Sequence, residues 1–147
     1  MVNAVVDTNV IVVGVLTNDP YSASASVIDR HRNGEFLLFL SPPALLELQE
    51  VLAFPRLRAI HHLTDEEIRR FCRRLEVHHS RMFSGTIPVS PAITRDVTDT
   101  KWVALALEAQ PDYLVTNDRR HLHRLRTVGR TQIVTPRAFI RELDRRA

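Results

Sequence analysis

The sequence predicts an α/β fold, in which the strands of a mostly parallel sheet alternate with helices. Apolar runs too short to be helices, Val2–Val6, Phe36–Leu40 and Tyr113–Thr116, indicate buried parallel strands. The segments between such runs carry apolar residues at helical spacing, next to residues that commonly begin or end helices. The 147 residues fit a single domain, 1–147, which is large enough to bury a core.

The first half of the chain contains clear helix boundaries. We expect an irregular stretch from Thr8 to Asn18, and then a helix that begins at Asp19-Pro20 and stops at Asn33-Gly34. Ser41-Pro42 opens the next helix, which ends before Pro55 because the residue preceding a proline disfavours helical geometry. The elements up to the second strand therefore form a β-α-β unit.

The second half continues the alternation. Thr64 opens a helix with a capping box, and we expect a loop over Ser80–Gly85 that leads into an edge strand at Thr86–Val89. After the strand that begins at Tyr113, a last short strand is expected at Ile133–Thr135, followed by a helix from Pro136.

Four carboxylates recur at comparable junctions of this pattern. Asp7 ends the first strand, Asp118 follows the strand at Tyr113–Thr116, and Asp99 stands at the start of a helix. Glu47 lies among leucines, where a carboxylate is costly unless it is paired or bound to metal. A single acid of this kind is usually a turn or capping residue. Four of them at one edge of a sheet would repel one another unless cations neutralised them.

The residues around these acids suit a hard metal ion. All-oxygen ligands favour Mg²⁺ or Mn²⁺, and an ion bound in this way can activate water for attack on a phosphodiester. Four polar neighbours can hold the ligands or contact the scissile phosphate, although local turn hydrogen bonds explain each of them equally well: Thr8, Asn9, Thr116 and Asn117. The seven histidines lack a usable zinc spacing, so we expect them at the surface.

The composition restricts the class of protein. No apolar stretch is long enough to span a membrane, and the start carries no basic segment typical of a secretory signal. Cys72 is the single cysteine, which together with these features predicts a reducing cytoplasmic setting. The net charge is only +3, but the segment from Arg119 to Ala147 contains nine arginines and only two acidic residues. Such a segment is able to attract a polyanion, and a solvated helix surface explains it as well.

Four sequence blocks carry a family resemblance. They are VVDTNV around Asp7, SPPALLELQEVL around Glu47, RDVTDTKWVALALEA around Asp99, and DYLVTND ending in Asp118. In this order and spacing they resemble the signature blocks of PIN-domain ribonucleases, and they are most similar to the VapC-like PIN toxins of toxin-antitoxin systems. The resemblance extends over nearly the whole chain.

The resemblance implies a three-layer α/β/α PIN-like fold with five parallel strands in the order 3-2-1-4-5. It also implies metal-dependent cleavage of RNA, with Asp7, Glu47, Asp99 and Asp118 as metal ligands and catalytic residues. Asp96 corresponds to an acid of the same family stretch and is expected outside the inner ligand shell. A small antitoxin protein and a homodimer are the partners that such toxins imply.

Other classes of protein share part of this pattern. A HAD-like phosphohydrolase needs an aspartate at the position of Asn9, and a receiver-like domain needs a lysine at a strand end, whereas Lys101 lies within a predicted helix. A housekeeping nuclease of RNA processing, or a PIN-like module that binds RNA or protein without cutting, remains open. A purely binding surface gains nothing from acids that face phosphate, which favours the nuclease.

Overall fold

The computed structural model describes residues 1–86, 100–118 and 126–147, with Thr100 described by its backbone alone. In this part of the chain the strands are β1 (Asn3–Val6), β2 (Leu37–Leu40), β3 (Ser80–Met82), β4 (Tyr113–Val115), β5 (Thr127–Val128) and β6 (Thr131–Val134). The helices of the same part are α1 (Thr8–Leu16), α2 (Ala23–Arg32), α3 (Pro42–Leu52), α4 (Pro55–His61), α5 (Asp65–Val77), α6 (Thr100–Ala109) and α7 (Pro136–Arg146). Among these helices, we find none with the length and apolar character needed to cross a membrane.

The strands form one sheet with the order β3-β2-β1-β4-β6-β5. Neighbouring strands are parallel except for the pair of β5 and β6. With β6 as the fifth parallel strand, the predicted order 3-2-1-4-5 is confirmed, while the predicted number of five strands was one too few. The additional strand β5 is only two residues long and turns into β6 at Gly129, whose φ of 59° favours glycine.

The two faces of the sheet have separate apolar cores, as strand alternation requires. On one face, Val5 and Leu114 pack with Trp102 of α6. On the other face, Val6 and Leu40 belong to a core that contains buried residues of α1, α2, α3, α5 and α7. The predicted three-layer α/β/α arrangement is thereby confirmed.

Helix α1 lies where an irregular stretch was expected, so that expectation was wrong. The segment forms a helix because Val10, Ile11 and Val12 are buried, which outweighs the modest helix propensity of β-branched residues. At Gly14, a Cβ atom would approach Ile28 Cδ1 to 2.6 Å and Ser24 O to 2.9 Å. The glycine therefore permits close packing of α1 against α2 next to the carboxyl edge of the sheet.

The start of α2 also differs from the expectation of a cap at Asp19-Pro20. Ser22 is the N-cap, and its side chain accepts a hydrogen bond from Ala25 N at 3.2 Å. Asp19 instead accepts from Tyr21 N at 2.9 Å, which is the local turn bond that aspartate commonly forms. The helix stop at Asn33 is confirmed, and so are the starts of α3, α5 and α7.

Strand β3 occupies the segment that was expected to be a loop, Ser80–Gly85. Thr86, the first residue of the expected strand, lies in no strand, and residues 87–89 fall outside the described part of the chain. The mostly polar β3 is held by pairing with β2: Leu38 N donates to His79 O at 2.8 Å, and Phe83 N donates to Leu40 O at 2.8 Å. Backbone pairing at a sheet edge needs no apolar pattern, which explains the error.

The expectation that all histidines lie at the surface was wrong for His31. This residue of α2 is buried and lies within hydrogen-bonding distance of His79 O, at 3.2 Å from its Nε2. Its ring also packs near Phe36. Burial lowers the pKa of His31 below its ordinary value.

This burial predicts acid destabilisation. Because the folded protein binds a proton at His31 less readily than the unfolded chain, the contribution of this ring to stability is complete above the ordinary pKa of 6.5 and decreases as the pH falls. The free energy of unfolding should decrease by up to about 1.4 kcal/mol per pH unit through this one ring. Urea denaturation at a series of pH values between 7.5 and 5 measures this decrease in the free energy of unfolding.

His31→Gln should remove this part of the pH dependence, whereas substitution of the exposed His62 by asparagine should leave it unchanged. An unaltered pH dependence in His31→Gln would contradict the assignment.

Candidate metal and catalytic site

Asp7 lies directly after β1, at the N-cap position of α1, and only 6% of it is exposed. Its side chain makes no capping hydrogen bond to α1. Instead, Asp7 Oδ2 accepts hydrogen bonds from Thr116 Oγ1 at 2.7 Å and from Asn9 Nδ2 at 3.1 Å. Helix capping, the ordinary reason for an aspartate here, therefore does not explain this carboxylate.

Thr116 connects the ends of two neighbouring parallel strands. It is fully buried directly after β4, and its backbone N donates to Val134 O of β6 at 3.0 Å. Besides donating to Asp7, its hydroxyl oxygen accepts from Asp118 N at 2.9 Å. One side chain thus fixes the Asp7 carboxylate and the backbone of the half-buried Asp118 relative to each other.

Two asparagines, Asn9 and Asn117, also connect the segments that follow β1 and β4. Asn117 N donates to Asn9 Oδ1 at 3.1 Å, and Asn117 Nδ2 donates to Ser24 Oγ of α2 at 3.3 Å. Asn9 therefore contacts Asp7 with its amide nitrogen and the loop after β4 with its amide oxygen. The close approach of α1 and α2 at Gly14 brings Ser24 to this position.

Glu47 projects from α3 and is held on both carboxylate oxygens. Thr8 Oγ1, at the start of α1, donates to Glu47 Oε2 at 2.6 Å. Lys101 Nζ, in the first turn of α6, lies 3.0 Å from Glu47 Oε1. The glutamate is therefore the meeting point of three helices, and its side chain is 21% exposed.

Asp7 and Asp118 follow the carboxyl ends of β1 and β4, and Glu47 contacts Thr8, the residue after Asp7. Asp99 and Asp96 lie outside the described residues. Within the described ranges, no group of three or more acidic, histidine or cysteine side chains is close enough to hold a metal ion. The described part of the site thus contains two sets of contacts, around Asp7 and Thr116 and around Glu47 and Thr8.

The donors of this region suit a hard divalent cation. They are carboxylate, hydroxyl and amide oxygens, which bind Mg²⁺ and Mn²⁺ in preference to softer metals. The ammonium group of Lys101 at Glu47 also shows that positive charge is accommodated there. Thr8, Thr116 and Asn9 orient the carboxylates through neutral donors.

Sequence reasoning did not assign Lys101 to the site. Two signals in the sequence pointed to it: it is the only lysine beside 19 arginines, and it follows Asp99 by two residues in a mostly apolar segment. Ser24 was also missed, because its contact with Asn117 depends on how α2 packs.

Comparison with known protein families identifies the family of this chain. The family model described as PIN domain matches residues 3–120, which includes β1 to β4 and the loop that carries Asp118. The chain belongs to the PIN-domain family. PIN domains are generally nucleases and typically use divalent metal ions, so the family supports a hydrolase that cleaves nucleic acid. A search of curated proteins found no match.

The role of Thr116 can be separated from that of an ordinary buried threonine. Thr131 is the matched control, since it is equally buried and its hydroxyl donates to Pro111 O at 2.7 Å. Thr116→Val and Thr131→Val should each lower the free energy of unfolding by about 1–3 kcal/mol, because each leaves a buried polar group without its hydroxyl partner. Urea denaturation measures both losses.

Of the two variants, only Thr116→Val should also lower the nuclease activity of this PIN domain, because Thr116, unlike Thr131, donates to Asp7. Equal activity of the two variants at matched folded fractions would contradict this role.

Proposed function

We propose that this PIN domain is a metal-dependent endoribonuclease that cleaves phosphodiester bonds of RNA. The observation that supports it best is the buried Asp7 carboxylate, which is oriented by Thr116 and Asn9 and does not cap a helix. Burying a carboxylate is unfavourable unless hydrogen bonds and positive charge compensate it. A divalent ion at the carboxyl edge stabilises such a carboxylate and neutralises charge on a phosphodiester that is cleaved there.

The proposed ligands of Mg²⁺ or Mn²⁺ are Asp7, Glu47, Asp99 and Asp118. When bound, the ion lowers the pKa of a coordinated water and neutralises charge on the phosphate oxygens. The protein itself orients these carboxylates, since Thr116 donates a hydrogen bond to Asp7 and Thr8 donates one to Glu47. Asp99 directly precedes α6, the helix whose Lys101 contacts Glu47, and Asp96 is assigned a supporting role outside the ligand shell.

An open cavity of about 400 Å³ adjoins this edge and is the proposed path of the RNA strand. It lies beside Asn117, between the N-terminal ends of α2 and α7. Its lining includes the hydroxyls of Ser22 and Thr135 and the exposed guanidinium of Arg137. Such donors suit phosphate oxygens, which carry most contacts between proteins and nucleic-acid backbones. The choice of RNA over DNA rests on the resemblance to PIN ribonucleases.

The metal site is tested by a matched pair of glutamates on α3. Glu47→Gln should reduce Mn²⁺-dependent cleavage of a 5′-labelled single-stranded RNA by at least about 100-fold, because a ligand is lost. Glu50→Gln, on the exposed side of the same helix, should cleave like the wild type. Asp7→Asn and EDTA should each abolish cleavage.

Circular dichroism and denaturation must show that the variants are folded. Undiminished cleavage by Asp7→Asn and Glu47→Gln would contradict the metal-site assignment. A folded wild-type protein that binds RNA but never cleaves it would favour a binding module.

We extend the proposal to a role as the toxin of a type II toxin-antitoxin system, on the basis of the VapC-like sequence blocks. Protein partners are supported by exposed apolar side chains: Leu46, Val77 and Met82 line an open groove between α3 and α5. This groove is the proposed contact of a homodimer. The acidic edge around Asp7 and Glu47 is the proposed target of a basic side chain from a small antitoxin.

The toxin role predicts an effect on growth. Induction of the wild-type chain in a bacterial host should arrest growth, whereas induction of Glu47→Gln at the same level should not. Coexpression of the small protein encoded next to the gene should restore growth. Normal growth in every case, together with cleavage in vitro, would indicate a housekeeping nuclease.

A further inference from the structure

The environment of Lys101 is unusual for a lysine. It stands in the first turn of α6, where the positive end of the helix dipole disfavours a cation. Its ammonium lies 3.0 Å from Glu47 Oε1, and the two side chains are 30% and 21% exposed. The ion pair with Glu47 compensates the unfavourable helix position.

The same ion pair opposes the binding of a metal. Glu47 accepts from the neutral Thr8 hydroxyl on one oxygen and contacts a full positive charge on the other. A divalent ion that binds this carboxylate would lie within a few ångströms of the ammonium group, and the two positive charges repel each other. Partial burial limits the screening of this repulsion by solvent and salt. The contact must therefore weaken or break when an ion binds Glu47.

The choice of lysine fits such an exchange. The chain uses arginine at 19 of its 20 basic positions, and lysine only here. A guanidinium forms a planar, two-pronged contact with a carboxylate, whereas an ammonium is a point charge on a flexible stem. Lysine is thus the cation that can neutralise Glu47 and then swing aside at low cost.

We propose that Lys101 is a built-in counter-ion that competes with the divalent cation for Glu47 and thereby sets the metal affinity of the site. In the metal-free protein it neutralises Glu47, and on metal binding it gives up that contact. The inference rests on the proposed function, because it takes Glu47 to be a metal ligand. It assigns Lys101 an effect opposite to that of a residue that merely holds Glu47 in place.

Titration of the purified protein with Mn²⁺ by isothermal calorimetry tests the proposal without reference to activity. Lys101→Met and Lys101→Gln should both bind Mn²⁺ about tenfold more tightly than the wild type, because each removes the competing charge. Lys101→Arg, which keeps the charge, should show no such gain. Glutamine retains an N–H donor toward Glu47, so it preserves the contact if methionine impairs folding.

A positioning role gives the reverse pattern, since Lys101→Met would then weaken Mn²⁺ binding and Lys101→Gln would resemble the wild type. Either that pattern or unchanged affinity in both variants overturns the proposal.

The control for net charge is Arg130→Met, which breaks an ion pair of 2.7 Å with Asp112 on the amino side of β4. It should leave the Mn²⁺ affinity unchanged, and an equal gain in this variant would also overturn the proposal.

The proposed function and this inference fail in distinguishable ways. A wild-type chain that neither binds Mn²⁺ nor cleaves RNA refutes the proposed function and this inference with it. A wild type that binds Mn²⁺ and cleaves, with Lys101 variants of equal affinity, refutes this inference alone.

Discussion

The hydrogen bond from the Thr116 hydroxyl to the buried Asp7 carboxylate is the contact on which the arrangement of the candidate site depends. It joins residues 109 positions apart and exists because β1 and β4 are parallel neighbours, with Val6 opposite Val115. Asp7 N donates to Val115 O at 2.9 Å, which carries the pairing one residue beyond the strand. The strand register thereby places a carboxylate and its donor side by side at the carboxyl edge.

The second carboxylate, Glu47, is oriented by helices. Thr8 and Lys101 approach Glu47 from the starts of α1 and α6, so that a hydroxyl and an ammonium group contact its two carboxylate oxygens. A site that brings acids together is stable only where their charges are compensated. In the described part of the chain, hydroxyl and amide donors and the Lys101 ammonium group contribute to this compensation.

Much of the fold was predictable because its signals are local. The capping box at Thr64, the serine and proline that open α3, and the strands that end at Asp7 and Thr116 all follow from spacing and residue type. The errors at α1 and β3 have a common cause, which is that tertiary contacts outweighed local preference. Burial made α1 helical despite its valines, and pairing with β2 made a strand of the polar residues at Ser80–Met82.

The sequence alone determined the alternation of strands and helices, because hydrophobic period and helix ends depend on neighbouring residues. It follows that Asp7 and Asp118 leave two parallel strands at the same edge of the sheet. Only the tertiary structure decided which groups meet these acids. From the sequence, local turn hydrogen bonds explained Thr116 and Thr8 as well as a role in the site did, and Lys101 was expected only to lie within a helix. Their partners are set by strand order and helix packing, which bring Lys101 to Glu47 across 54 positions of the chain.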